Sequence, residues 1–320
     1  MLEHQYTSAT SNLQQAPAAT GASARGAIKR LRRQVLAPGE PLIQGIFLSA
    51  HAGYNSLATT RKIQAEYDHD SDMVLARIVI RQSDVPQKNN IATRLNKVRE
   101  QIDIACKNAG RDPASVNLLA VSKTQDIASC RSALDAGQRD LGENYLQEAL
   151  AKVAAVPTVS WHFIGSIQSN KTKDIANHFS WVHSVASEKI ARRLSDQRHP
   201  TLGPLNILIQ VNVSGEQQKS GVAPEQLSEL VSKTSEFKGV RLRGLMTIPE
   251  ASQDPGAERN CFRTLRELKN NISASFGLPH FDQLSMGMTA DFPIAISEGA
   301  TWVRIGTAIF GPRSANRQSS

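Results

Sequence analysis

Residues 118 to 125 read LLAVSKTQ: four apolar residues, Leu118 to Val121, then Ser122 and Lys123. A short unbroken apolar run fits a strand buried on both faces, as strands of parallel sheets are. Asp126 and Ile127 open a helical pattern directly after it. The turn between them carries no GxGxxG and no Walker lysine, so the phosphate turn that begins an open nucleotide-binding sheet is missing. Lys123 stands at the C-terminal end of this strand. A lysine there commonly snorkels to water. Held partly desolvated, its pKa falls from about 10.4 and the neutral amine can attack a carbonyl. Position alone leaves both readings open.

Working outward, strand-like runs recur with helical stretches between them: RDLGE, SWHFIG, WVHSVA, LNILIQVNV, RLRGLMTI, FDQLSMG and WVRIG. The intervening DIASCRSALDAG, APEQLSELVSKTSEFKG and NCFRTLRELKNNI carry apolar residues three and four apart, as crossover helices do. Eight strands alternating with helices over about 220 residues predict an α/β protein with a single (β/α)8 TIM barrel. A doubly wound open sheet is the alternative. Ahead of the first strand, Ile91, Leu95, Val98, Ile102, Ala105 and Ala109 share one helical face, with Gly110 and Pro113 supplying the stop. This predicts an extra N-terminal helix.

Before residue 88 the chain is small, polar and Ala/Ser-rich, as in SATSNLQQAPAATGASARGAIKRLRRQ. It reads as a poorly ordered extension over 1–88, preceding a barrel domain over 89–320. An organellar targeting segment and a start assigned too early are the other readings, Met73 being the only later methionine ahead of the barrel. No apolar stretch approaches the roughly 18 residues of a membrane span, and no secretory signal opens the chain, so a cytoplasmic protein without membrane contact is expected. Cys106, Cys130 and Cys261 lie far apart without CxxC spacing, which suggests neither zinc nor disulfides. The net charge of +8 is scattered apart from KRLRR at 29–33, and aromatics are 5%, so nucleic acid is not the expected partner.

Chemistry in such a barrel gathers at the C-terminal strand ends. There the chain places Lys123, Asn144 in GENY, GSIQSNK, Asn212, Met246, Ser285 in LSMGMT, and Arg304, Gly306 and Thr307 in RIGTAIFG. The loops after strands seven and eight are rich in small and hydroxyl residues, as an anion nest requires. A lysine amine on one side of the mouth and a phosphate cradle on the other suit an aldehyde that carries a phosphate, such as pyridoxal 5′-phosphate. Asn144 and Ser169 also suit helix capping, and His162 and His183 read as satisfied core histidines. Met286 and Met288 are expected over the mouth.

The motifs LLAVSKTQ, GENYLQE, WHFIGSIQSNK, VNVSGEQQKSG, GLMTIP, LSMGMTADFPIAI and VRIGTAIFG, in this order, resemble the pyridoxal 5′-phosphate homeostasis protein family. That family's barrel is similar to the alanine racemase N-terminal domain, and the match runs from residue 90 to about 312. The resemblance implies pyridoxal 5′-phosphate as cofactor, bound as a Schiff base on Lys123. It implies phosphate contacts from Ser285, Gly306 and Thr307, Arg304 at the pyridine nitrogen, and Asn144 beside the ring. Ser166 and Thr289 depart from the family's usual proline and serine. An arginine at the ring nitrogen keeps it unprotonated and makes the cofactor a poor electron sink. A holder of the cofactor in vitamin B6 homeostasis, acting as a monomer or weak dimer and serving apo-enzymes that require the cofactor, is therefore the expected function. A pyridoxal-dependent amino-acid racemase or lyase is the alternative, and a Schiff-base aldolase the third reading.

Overall fold

The computed structural model describes residues 63–68, 73–78, 91–214, 220–249 and 255–311. The chain divides into two compact units, Met1–Lys88 and Asn89–Ser320. In the first, β1 (Ile63–Asp68) pairs antiparallel with β2 (Met73–Ile78). The remainder of the extension lies outside the described residues. This hairpin was not expected from the sequence.

In the second unit, each of the eight sequence runs forms a strand. They are β3 (Asn117–Val121), β4 (Asp140–Glu143), β5 (Ser160–Phe163), β6 (Trp181–Val185), β7 (Leu205–Gln210), β8 (Val240–Met246), β9 (Gln283–Ser285) and β10 (Trp302–Ile305). All pair in parallel and close into a barrel in the order β10-β3-β4-β5-β6-β7-β8-β9. The open-sheet alternative is thereby excluded: β10 pairs with β3, Val303 opposite Leu118 and Arg304 opposite Leu119.

The helices are α1 (Ile91–Asn108), α2 (Ile127–Asp135), α3 (Leu146–Ala155), α4 (Thr172–His178), α5 (Glu188–Gln197), α6 (Leu227–Ser235), α7 (Pro255–Phe276), α8 (Phe292–Ser297) and α9 (Thr307–Phe310). The apolar face of α1 is buried from Ile91 through Leu95, Val98, Ile102 and Ala105. It packs on α8, α9 and α2. Gly110, at φ 66°, ends the segment as its position in the sequence suggested. Leu205, Ile207, Leu208 and Ile209 are all buried, so β7 has no solvent face. This is the two-sided burial that makes parallel strands read as unbroken apolar runs. Among the described residues no helix is long and apolar enough to cross a membrane, and no group of three or more His, Cys, Asp or Glu could hold a metal.

Candidate functional site

The strand β3 ends at Val121, and the buried Ser122 carries the chain out of the barrel, its N–H donating to the Gly142 carbonyl at 2.9 Å. Ser122 to Gln125 then form a turn closed by the Gln125 N–H on the Ser122 carbonyl at 3.0 Å. Lys123 is half-buried within it. Thr124, the third residue of the turn, has φ 65°. That region suits glycine and is a rare place for a β-branched residue. Asp126 stops the turn by capping α2, accepting from the Ser129 N–H at 2.8 Å. Lys123 is thus held at the barrel mouth between a buried strand end and a capped helix.

On the next strand, β4 delivers Asn144 directly after the fully buried Glu143. Its backbone lies so close to Gly165 that a Cβ there would meet the Asn144 carbonyl oxygen at 2.0 Å, which explains the glycine of WHFIG. The Asn144 side chain does not cap α3; Tyr145 is the cap residue, and it makes no capping bond. Instead Asn144 Oδ1 is buried without a hydrogen-bond partner. An orphaned buried amide oxygen costs about 1–3 kcal/mol. It marks a place where a ligand can supply the missing bond.

Across the barrel's closing seam, β10 supplies Arg304 and β9 supplies Ser285, both buried. Arg304 donates from Nη1 to Ser285 Oγ (2.9 Å) and from Nη2 to the Thr247 carbonyl (2.9 Å). No carboxylate pairs with it among the described residues. Burial lowers its pKa to about 10, the charge of Asp291 opposing, so the guanidinium stays cationic at neutral pH. Ser285 also meets His183 Nδ1 at 2.8 Å, His183 Nε2 meets His162 Nδ1 at 3.0 Å, and His162 Nε2 meets Asp140 Oδ1 at 3.1 Å. With both rings neutral, one proton assignment satisfies the whole chain. His162 donates to the Asp140 carboxylate, His183 donates to His162, and Ser285 donates to His183 while accepting from Arg304. Burial lowers both histidines below the usual imidazole range, Asp140 opposing at His162 and the neighbouring His162 and Arg304 reinforcing it at His183.

The two histidines are core residues, as expected. They also brace Arg304 through Ser285, which sequence reasoning missed. The available signal was a histidine in the middle of each of two neighbouring strands: two buried imidazoles at matching depth must satisfy one another. In this assignment the buried Ser285 hydroxyl gives its hydrogen to His183.

Gly306 and Thr307 follow β10 directly, Thr307 being exposed at the first position of α9. The preceding loop is tied to β10: the Arg304 N–H donates to the Gly287 carbonyl at 2.9 Å. Gly287 has φ 92°, and a Cβ there would fall 2.6 Å from that of Ala295. Met286 is buried and Met288 is 37% exposed. Ser169 makes no side-chain cap; its short helix starts from Gln168. Ser285, Arg304, Lys123 and Asn144 therefore come from four consecutive strands, β9, β10, β3 and β4, at one end of the barrel.

The family model for the alanine racemase N-terminal domain matches residues 94–314. The pyridoxal phosphate homeostasis protein of Pseudomonas aeruginosa is 55% identical over 227 residues, 70% of this chain and 96% of that protein. The chain belongs to the pyridoxal phosphate homeostasis protein family. The Escherichia coli K12 member of this family is 43% identical over 235 residues, 72% of this chain and 100% of that protein. Among solved structures, PipY of Synechococcus elongatus with PLP bound matches at TM-score 0.61 and 35% identity, covering 69% of this chain and 100% of PipY. Alanine racemase of Corynebacterium glutamicum shares the fold at TM-score 0.54 and 14% identity, covering 70% of this chain and 64% of the racemase.

Proposed function

We propose that this chain binds pyridoxal 5′-phosphate as a Schiff base on Lys123 and acts in intracellular homeostasis of that cofactor. The family membership and the PLP-bound PipY relative support the cofactor. The orphaned Asn144 Oδ1, next to the strand that carries Lys123, is the observation on this chain that carries the assignment. When bound, the cofactor supplies an aldehyde that condenses with an amine and a pyridine ring that withdraws electrons if its nitrogen is protonated.

The chain's own residues set how far that chemistry goes. Lys123 provides the amine. Asn144 provides an amide beside the ring whose buried Oδ1 has no other partner. Gly306 and Thr307 provide backbone and hydroxyl donors for the phosphate. Arg304, braced by Ser285 and the Thr247 carbonyl, presents a buried cation without a carboxylate partner, and it disfavours a proton on the ring nitrogen. The site is therefore suited to hold the cofactor rather than to stabilise carbanions. Ser285 enters mainly through Arg304, because its oxygen and its proton are both engaged inside the barrel. Recipients would be apo-enzymes that need the cofactor, served in the cytoplasm by a monomer or weak dimer.

The test is borohydride reduction of the cofactor-loaded full chain followed by peptide mapping. The adduct is expected on Lys123. Lys123→Ala should lose both the adduct and the visible absorption band while keeping its far-ultraviolet dichroism. An adduct mapped to another lysine refutes the assignment.

A further inference from the structure

The stretch GENYLQEALAK, residues 142 to 152, contributes Asn144 to the site, but its charged residues Glu143, Glu148 and Lys152 have no part in cofactor contact as described above. They converge on one point. Lys152, on α3 and only 3% exposed, donates to the Ser122 carbonyl at 2.7 Å, to Glu143 Oε1 at 2.8 Å and to Glu148 Oε1 at 2.6 Å. Those three bonds use all the hydrogens of an ammonium group. The same two carboxylate oxygens accept again. Glu143 Oε1 takes the Ser122 hydroxyl at 2.5 Å, and Glu148 Oε1 takes the Thr124 N–H at 2.6 Å. The triad thus bonds the residue before Lys123 and the residue after it.

Two physical facts give this arrangement meaning beyond packing. Burying charges costs more than filling the space with apolar side chains, so the buried Glu143–Lys152 pair, with the partly exposed Glu148 beside it, is a poor device for stability alone. Burial indeed pushes the Glu143 carboxyl up, with Lys152 opposing, while Lys152 is held protonated by the carboxylates against its own burial. Thr124, meanwhile, adopts a left-handed conformation that a β-branched residue keeps only when its surroundings enforce it. The Glu148 bond falls on the amide of that strained residue.

We propose that Glu143, Glu148 and Lys152 form a charged clamp that holds the Ser122–Gln125 turn in its strained shape and thereby positions the Lys123 amine at the barrel mouth. This rests on the reading of Lys123 as the attachment lysine. The three are positioning residues: they act through the backbone on either side of Lys123. The motif then has two functions in one turn of sequence, an amide beside the ring and a brace behind the amine.

The test uses the full chain and a rescue. In Glu148→Ala, hydrogen exchange of the Thr124 amide, measured without cofactor, should rise at least tenfold, and the rate of borohydride-trappable attachment at Lys123 should fall about tenfold. Adding Thr124→Gly removes the penalty of the left-handed turn, so the double variant should recover attachment to within about threefold of the starting protein. A general structural or electrostatic role for Glu148 would not be rescued by glycine at 124. Glu148→Gln, which keeps the oxygen but not the charge, should show intermediate exchange and serves if the alanine variant does not fold. Unchanged Thr124 exchange in both Glu148 variants overturns the clamp, wherever the cofactor is attached. Loss of attachment that glycine does not restore overturns it as well. An adduct that persists in Lys123→Ala refutes the attachment reading instead, and the exchange data then judge the clamp alone.

Discussion

Acid should destabilise this barrel through its two buried histidines by an amount that can be worked out in advance. His162 and His183 are fully buried, hydrogen-bonded as neutral rings, and shifted below their usual value of 6.5. In the unfolded chain they titrate near 6.5. A group whose folded pKa is depressed contributes stability that is present above the unfolded pKa and lost as pH falls through it. Between pH 7 and pH 5 the unfolded state gains about 2 kcal/mol per histidine from proton uptake that the folded state forgoes, so the pair removes at most about 4 kcal/mol. Glu143 acts with the opposite sign, because burial raises its carboxyl and the folded state takes up a proton more readily there. Its effect is common to wild type and to a histidine variant, and it cancels in their comparison. The perturbation of choice is His183→Gln, whose amide oxygen can accept from Ser285 and whose amide nitrogen can donate to His162. Urea unfolding followed by the fluorescence of Trp181 and Trp302, whose rings lie 5.7 and 4.8 Å from that of His162, reports on the site directly. With a urea slope of about 2–3 kcal/mol/M, wild type should lose roughly 1 M or more in midpoint between pH 7 and pH 5, and the variant about half as much. Equal losses in the two proteins would show that His183 is not the neutral, proton-refusing group described.

Thr307→Ala and Ser285→Ala should part company. The first removes an exposed hydroxyl and should weaken retention of the phosphorylated cofactor selectively, by about 1.5–3 kcal/mol, at little cost to the melting temperature. The second strands His183 and Arg304 and should lower stability by about 1–3 kcal/mol, with pyridoxal and its phosphate affected alike; a phosphate-selective loss would place Ser285 on the phosphate. A chain starting at Val85 should melt and bind cofactor as the full chain does, and a marked drop in melting temperature would show that the extension supports the barrel. Incubation with L-alanine in heavy water should give no α-deuterium beyond a free-cofactor control, since Arg304 at the ring nitrogen, as proposed, would disfavour the electron sink, and Tyr145 is 58% exposed. Rapid exchange that Lys123→Ala abolishes would make the chain a racemase or lyase.

The barrel was legible because strands such as β3 and β7 are buried on both faces and appear as compact apolar runs, and because eight strand-like runs alternate with helical stretches. The register of α1 was legible because its apolar residues keep one face. Lys123, Asn144, Ser285 and Arg304 could be placed at one end of the barrel from strand order alone. Other features depend on contacts between residues distant in sequence. Lys152 stands four residues after Glu148, which reads as an exposed helical pair, and only the folded chain brings the Ser122 carbonyl to its amine. Ser-Lys-Thr-Gln contains no glycine, so nothing in it announces the positive φ of Thr124. The two mid-strand histidines signal that they satisfy one another, but the extension of their hydrogen bonding to Ser285 and Arg304 depends on strands brought together only by the closed barrel. The β1–β2 hairpin escaped because its two strands are short and the residues between them in sequence, His69-Asp70-Ser71-Asp72, carry no Asn-Gly or Asp-Gly turn signal.

The last barrel strand pairs with the first, the Asn117 amide donating to the Thr301 carbonyl at 2.7 Å. Lys123 stands on one side of that seam and Arg304 on the other. During synthesis the amine emerges early, whereas its cationic counterpart is the product of nearly the last residues of the barrel. A half-made chain on the ribosome has a lysine and no site. On the proposed attachment at Lys123, the full set of residues that would retain the cofactor exists only once β10 has been made, and a chain truncated before β10 should hold the phosphorylated aldehyde no better than an ordinary surface lysine does.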